Sequence, residues 1–185
     1  MKIIKKLVFS LLLSVMTTIS YGQENVNNFI IDNSELVWQK VFETSMTFEE
    51  LKEKIKDSGL FEKVEISDNK LSGEIKPFSA DFNGAGFSEM SAPIYIARST
   101  FSGFIIIEYK ENKYRVTLKK ILLTQKYTDP LTNQGETTQL EFFGLKNNMY
   151  EMTNYFKKSP SYILDYTLTK KFDFKDSTIK KQQQY

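Results

Sequence analysis

The sequence predicts an α+β domain: an antiparallel β-sheet of about five strands, with one helix after the first strand and one or two C-terminal helices packed on one face. Three observations carry that reading. A capped helix follows the first alternating apolar run, hairpins with tight turns occupy the middle of the chain, and helical apolar spacing returns near the C-terminus.

Each element follows from local rules. Residues 23–34 are polar apart from Phe29, Ile30 and Ile31 and read as a lead-in. Glu35 to Glu43 is the first strand, with Leu36, Trp38 and Phe42 on one parity and Val37 and Val41 on the other. Thr47 is the N-cap of the helix, and Glu50, three residues on, completes a capping box in which each side chain satisfies the other's free amide. Phe48, Leu51 and Ile55 line one face of that helix. Gly59 suits the left-handed position at its end, and Lys54 and Lys56 complement the negative pole of the dipole.

Two hairpins follow. In the first, from Phe61 to Lys76, Asp68-Asn69 tolerates the backbone of a two-residue turn, which pairs Ile66 with Leu71, Val64 with Gly73 and Lys63 with Glu74. In the second, from Phe101 to Leu123, Glu111-Asn112 makes the turn. Tyr109 then faces Tyr114, Ile107 faces Val116, Ile105 faces Leu118, and Glu108 faces Arg115 on the opposite side. A slip of one residue would destroy both the apolar face and the charge pair. Further on, Leu140 to Phe143 suggests another strand, and Leu145, Met149, Met152 and Phe156 recur at helical spacing. Ser159-Pro160 reads as N-cap and first residue of a last helix carrying Ile163, Leu164, Leu168 and Phe172, although Tyr162, Leu164, Tyr166 and Leu168 also alternate as a strand would.

The chain begins with Lys2, Lys5 and Lys6, an apolar run from Leu7 to Ile19, and Ser20-Tyr21-Gly22. This is the pattern of a secretory signal with cleavage after Gly22. The expected plan is a signal peptide at 1–22, the lead-in at 23–34, one domain at 35–175 and a polar tail at 176–185. An exported, periplasmic or extracellular product is expected, with no membrane span after cleavage. Without its first 22 residues the 185-residue chain has 163, enough to bury roughly 70% of its unfolded surface.

Composition narrows the chemistry. Without the three signal lysines, the 25 basic residues become 22 against 23 acidic ones, a net charge near −1. Lys119-Lys120, Lys170-Lys171 and Lys180-Lys181 are short and dispersed, so nucleic acid is not an expected partner. The sequence has no cysteine and no histidine. It therefore lacks disulfides, a lipoprotein anchor, Ser-His and Cys-His nucleophile systems and the usual zinc ligands. No cofactor or metal is expected.

The order of elements brings a resemblance. Leu36 to Phe42, the Thr47–Gly59 helix, the strand Lys70-Leu71-Ser72-Gly73-Glu74-Ile75, and Phe104 to Leu118 with its Tyr109-Lys110-Glu111-Asn112-Lys113-Tyr114-Arg115 turn form one pattern. Over residues 35–125 this resembles a family of secreted bacterial proteins of unknown function with a TATA-binding-protein-like β-α-β4-α fold. The resemblance implies a fold and transfers no functional residue. A fold name of this kind does not imply DNA binding, because function lives in sites.

The longest irregular segment, Pro77 to Thr100, supplies the candidate binding residues Phe82, Phe87, Glu89 and Arg98 around Asn83-Gly84-Ala85-Gly86. The glycines lack the third member and the strand-to-helix setting of a dinucleotide loop. The phenylalanines serve either as apolar anchors for a partner or as packing for the loop itself. Asp81 and Glu89 are the acids without an evident local role. The expectation is a non-enzymatic exported domain that binds a protein or small ligand of the cell envelope. The alternatives are a small carboxylate-dependent hydrolase of cell-wall or glycan material, and a carrier of an apolar ligand, for which the chain's 15 phenylalanines and 10 tyrosines would be suited.

Overall fold

In the computed structural model, which describes residues 24–130 and 132–174, seven strands form one antiparallel sheet. The readings for 1–22 and 176–185 lie outside the described residues. In chain order the elements are β1 (Phe29–Asp32), β2 (Glu35–Glu43), α1 (Phe48–Asp57), β3 (Phe61–Ser67), β4 (Lys70–Ser79), α2 (Ile94–Ala97), β5 (Ser99–Lys110), β6 (Lys113–Gln125), β7 (Thr137–Gln139), α3 (Glu141–Gly144) and α4 (Ser159–Phe172). The spatial order is β1-β2-β6-β5-β4-β3, and β7 pairs with the far end of β6. The α+β class and antiparallel sheet are as expected, with more strands than the expected five.

One additional strand comes from the lead-in. Asn33 and Ser34, with φ of 49° and 66°, turn the chain so that Phe29 pairs with Trp38 and Ile31 with Leu36. Both expected hairpins are present in the expected register, including Ile66 opposite Leu71, Tyr109 opposite Tyr114 and Glu108 opposite Arg115. Arg115 Nη2 donates to Glu108 Oε2 at 2.7 Å.

The capping box of α1 is complete, and Gly59 follows the helix with φ 61°. The last segment is helical rather than extended. Its N-cap position falls on Lys158 instead of Ser159, with no side-chain cap. The chain arrives in tight turns, so the carbonyls of Phe156 and Lys158 already receive the amides of Ser161 and Tyr162.

Residues 140–158 depart from the expected strand and helix. Glu141 opens the single turn of α3, with its carboxylate accepting from the Leu36 amide at 2.8 Å. Burial raises the Glu141 pKa above its ordinary value. Leu145 forms a bridge with Met152, and Met149 takes φ 61°, which breaks any helix there. Leu145, Met152 and Phe156 are nonetheless buried, so their spacing reports burial and not helical periodicity.

Trp38, Ile107, Tyr114 and Val116 on one face of the sheet share a core with Leu51 and Ile55 of α1 and with Ile163, Leu168 and Phe172 of α4. The opposite face carries Val41, Glu108 and Arg115 and borders an open cleft. Polar contacts fix α4 in place. Asp165 Oδ1 accepts from Trp38 Nε1 and from Asn28 Nδ2, each at 2.8 Å, while Asn27 Nδ2 donates to Ser161 Oγ at 2.9 Å. Among the described residues no helix is long and apolar enough to cross a membrane.

Candidate functional site

The irregular segment between β4 and β5 is shorter than the sequence suggested. Pro77 to Ser79 complete β4, and Ser99 and Thr100 open β5, which leaves residues 80–98. This loop is tied to α4. The Asp81 amide donates to Thr167 Oγ1 at 2.8 Å, Asp81 Oδ1 accepts from the Gly84 amide at 2.9 Å, and Lys170 Nζ donates to Asp81 Oδ2 at 2.9 Å. The hydrogen bond from Lys170, with that from Gly84, holds the Asp81 carboxyl below its ordinary pKa.

The four loop candidates separate into two groups. Phe82 and Phe87 lie together, with the Phe87 amide donating to the Phe82 carbonyl at 2.9 Å, and both rings pack partly buried against the core. Phe87 also meets Tyr162 of α4, ring centroids 6.3 Å apart. Glu89 is exposed, and Arg98 follows α2, where Nη1 lies 3.4 Å from Asp129 Oδ2. Neither Asp81 nor Glu89 lines the cleft at Glu108 and Arg115, the one at Glu74 and Phe104, or the one at Glu35 and Glu141.

The loop does contribute to an aromatic surface, built from residues other than the four candidates named from the sequence. Pro93 starts α2, whose four residues place Tyr95 inward, only 6% exposed, and Ile94 outward, 70% exposed. Tyr95 stacks on Phe143 of α3 with centroids 4.3 Å apart and planes 8° apart. Phe143 meets Phe142 edge-on at 5.2 Å, and Tyr95 meets Tyr155 at 6.3 Å. A chain of rings therefore runs from Phe142, 77% exposed, through buried Tyr95 to Tyr155, 55% exposed.

Burial and the neighbouring Tyr155 raise the Tyr95 phenol far above its ordinary pKa, and its hydroxyl has no hydrogen-bond partner among the described residues. It remains a neutral packing ring at physiological pH. Phe142 and Phe143 belong to the Leu140–Phe143 segment that the sequence suggests as a strand, and nothing local distinguishes the outward ring from the inward one. Among the described residues no three Asp or Glu side chains converge as a metal site. What the arrangement offers is exposed apolar area held by packed rings.

No protein-family model matches this chain, and no curated protein matches it. Among solved structures, a TBP-like protein from Parabacteroides distasonis is similar with a TM-score of 0.48 and 15% identity, over 77% of this chain and 93% of that one. A DUF4468 family protein from Bacteroides ovatus is similar with a TM-score of 0.41 and 16% identity, over 76% of this chain and 88% of that one. These are the kind of protein the sequence resembles, TBP-like and of a numbered domain-of-unknown-function family. Neither likeness carries an activity to this chain.

Proposed function

We propose that this chain is a non-enzymatic binding domain that works outside the cytoplasm and holds a protein partner on the aromatic surface of α2, α3 and Tyr155. The observation that carries this reading is the continuous ring chain from Phe142 through Tyr95 to Tyr155. Exposed aromatic rings supported from beneath supply large contact area and lose little conformational freedom on docking. Tyr and Phe are also enriched at the centres of protein interfaces. A carrier would use the space between sheet and helices, but the side chains of Trp38, Phe101, Phe156 and Phe172 occupy it. Export rests on the pattern of residues 1–22.

Two measurements test the proposal. N-terminal sequencing of the protein recovered from the cell envelope should read from Gln23, and an intact Met1 start on cytoplasmic material would refute export. A photo-crosslinking residue placed at 142 should trap a protein in envelope extract, and the purified partner should bind the wild type directly. Phe142→Ser with Tyr155→Ser should abolish that binding without lowering the melting temperature. Equal binding by this variant would refute the surface.

A further inference from the structure

Four adjacent strands lose their regular pairing along one line. The register shifts between Phe61 and Lys63 for β3–β4, between Ile75 and Phe78 for β4–β5, and between Ser102 and Phe104 for β5–β6. Phe61 faces Ile75, and Ile75 faces Gly103, so the irregularities lie side by side. A bulge bends its strand and re-aims side chains, and aligned bulges crease the sheet.

At the crease Lys120 adopts φ 53°, a left-handed conformation that a lysine rarely takes and that clusters at functional positions. Gly103 is required there, because a Cβ on it would sit 2.9 Å from the Lys119 carbonyl oxygen. On the face away from the helices the crease forms a cleft of about 420 Å³, within the range of small-ligand sites.

The lining is polarised. Pro77, Phe104 and Leu122 give apolar surface, Glu62 and Glu74 stand on the β3–β4 side, and Lys120 stands on the β6 side. Lys119 adds a second cation on β6, its Nζ 5.7 Å from the centroid of the Phe104 ring. Glu62, Glu74 and Lys120 form no ion pair among the described residues. The strands bearing Glu74 and Lys120 are separated by β5, about 10 Å at ordinary strand spacing. An extended dipeptide spans about 7 Å, which fits between charged groups carried by those two strands.

We propose that the crease binds a zwitterion of dipeptide size, with its ammonium at Glu62 and Glu74, its carboxylate at Lys120 and an apolar side chain against Phe104 and Leu122. This site is separate from the aromatic surface and does not depend on it. The test is an NMR titration of the domain with the dipeptide leucyl-phenylalanine, its N-acetyl form and its C-terminal amide. Saturable shifts are expected at the amides of Ser102 to Phe104 and Lys120 to Leu122.

Each blocked form should bind about tenfold more weakly, as loss of one charged hydrogen-bonded contact implies. Glu74→Gln should weaken the free dipeptide and leave the N-acetyl form unchanged. Lys120→Asn, which tolerates the left-handed backbone, should do the same relative to the amide. Shifts that do not saturate, or blocked forms that bind the wild type as well as the free dipeptide, overturn the proposal whatever the variants do.

Discussion

The hydroxyl of Tyr114, in the middle of the sheet, donates to the backbone carbonyl of Phe172, the last residue of α4, at 2.7 Å. The same oxygen accepts from the Phe174 amide at 3.0 Å, so one phenol closes the C-terminal end of the helix. Its ring stacks on Phe42 at 5.1 Å, which fixes where the hydroxyl points.

Tyr114→Phe keeps the ring and removes the two hydrogen bonds of its hydroxyl, while the Phe174 amide still donates to the Phe172 carbonyl at 3.1 Å, so a loss of about 0.5–1.5 kcal/mol is expected in urea unfolding. Burial pushes the Tyr114 pKa up to about 12 from an ordinary 10.0. Below pH 10 the phenol is neutral in both states and contributes no slope. From pH 10 to about 12 the unfolded chain loses its proton first, so stability falls, by at most about 1.4 kcal/mol per pH unit. The variant should show a shallower fall, retaining the share that belongs to Tyr95. An unchanged slope would remove Tyr114 from this account.

Asp165 joins α4 to β2 and to the turn before β1 through one carboxylate oxygen. Asp165→Ala leaves Trp38 Nε1 and Asn28 Nδ2 without their acceptor and should cost about 2–4 kcal/mol. Arg115→Ala, which breaks an exposed pair, should cost less than about 1 kcal/mol. Trp38 is the chain's single tryptophan, so its fluorescence follows both unfolding curves. Equal costs would contradict the ranking.

Two substitutions at the crease should move stability in opposite directions. Gly103→Ala introduces the contact with the Lys119 carbonyl described above and should destabilise by about 1–3 kcal/mol. Lys120→Gly relieves the left-handed backbone and should stabilise by about 0.5–1 kcal/mol. Thermal melts of the two proteins decide this, and a shift of both in one direction would count against it.

Asp81 fastens the loop that carries α2. Because its folded-state pKa is depressed, its contribution is present above the ordinary value of 3.8 and is lost as pH falls through the folded value. Asp81→Ala should reproduce that loss at neutral pH. Amide exchange should accelerate from Gly84 to Phe87 and stay unchanged in β5 and β6. Uniform acceleration would mean that the residue supports the whole fold instead.

The elements legible in the sequence are those specified by neighbours in the chain. Thr47 and Glu50 define a helix start within four residues, and Glu111-Asn112 fixes a hairpin whose register then places every partner through Ile105 and Leu118. Asn33-Ser34 makes the same kind of turn, but the short segment before it, Phe29 to Asp32, hardly alternates and gives no strand signal of its own. The crease was not legible, because the bulge at Lys120 answers to close approach by Gly103 on another strand. The aromatic surface was hidden for a related reason. Whether Phe142 or Phe143 faces solvent depends on Tyr95, nearly fifty residues earlier in the chain. The loop residues Phe82 and Phe87 were visible as apolar, and their partly buried position follows from the ties of the loop to α4.

The clasp between the turn that leads into β1 and α4 has a consequence for the order of folding. Asn27 and Asn28 find their partners Ser161 and Asp165 across sequence separations of 134 and 137 residues. The beginning of the domain therefore stays without its final contacts until the last helix has left the ribosome. Closing so large a loop is slow compared with forming the central hairpin. Folding should start at β5–β6 and end when the two extremities of the domain meet, leaving the growing chain open for most of its synthesis.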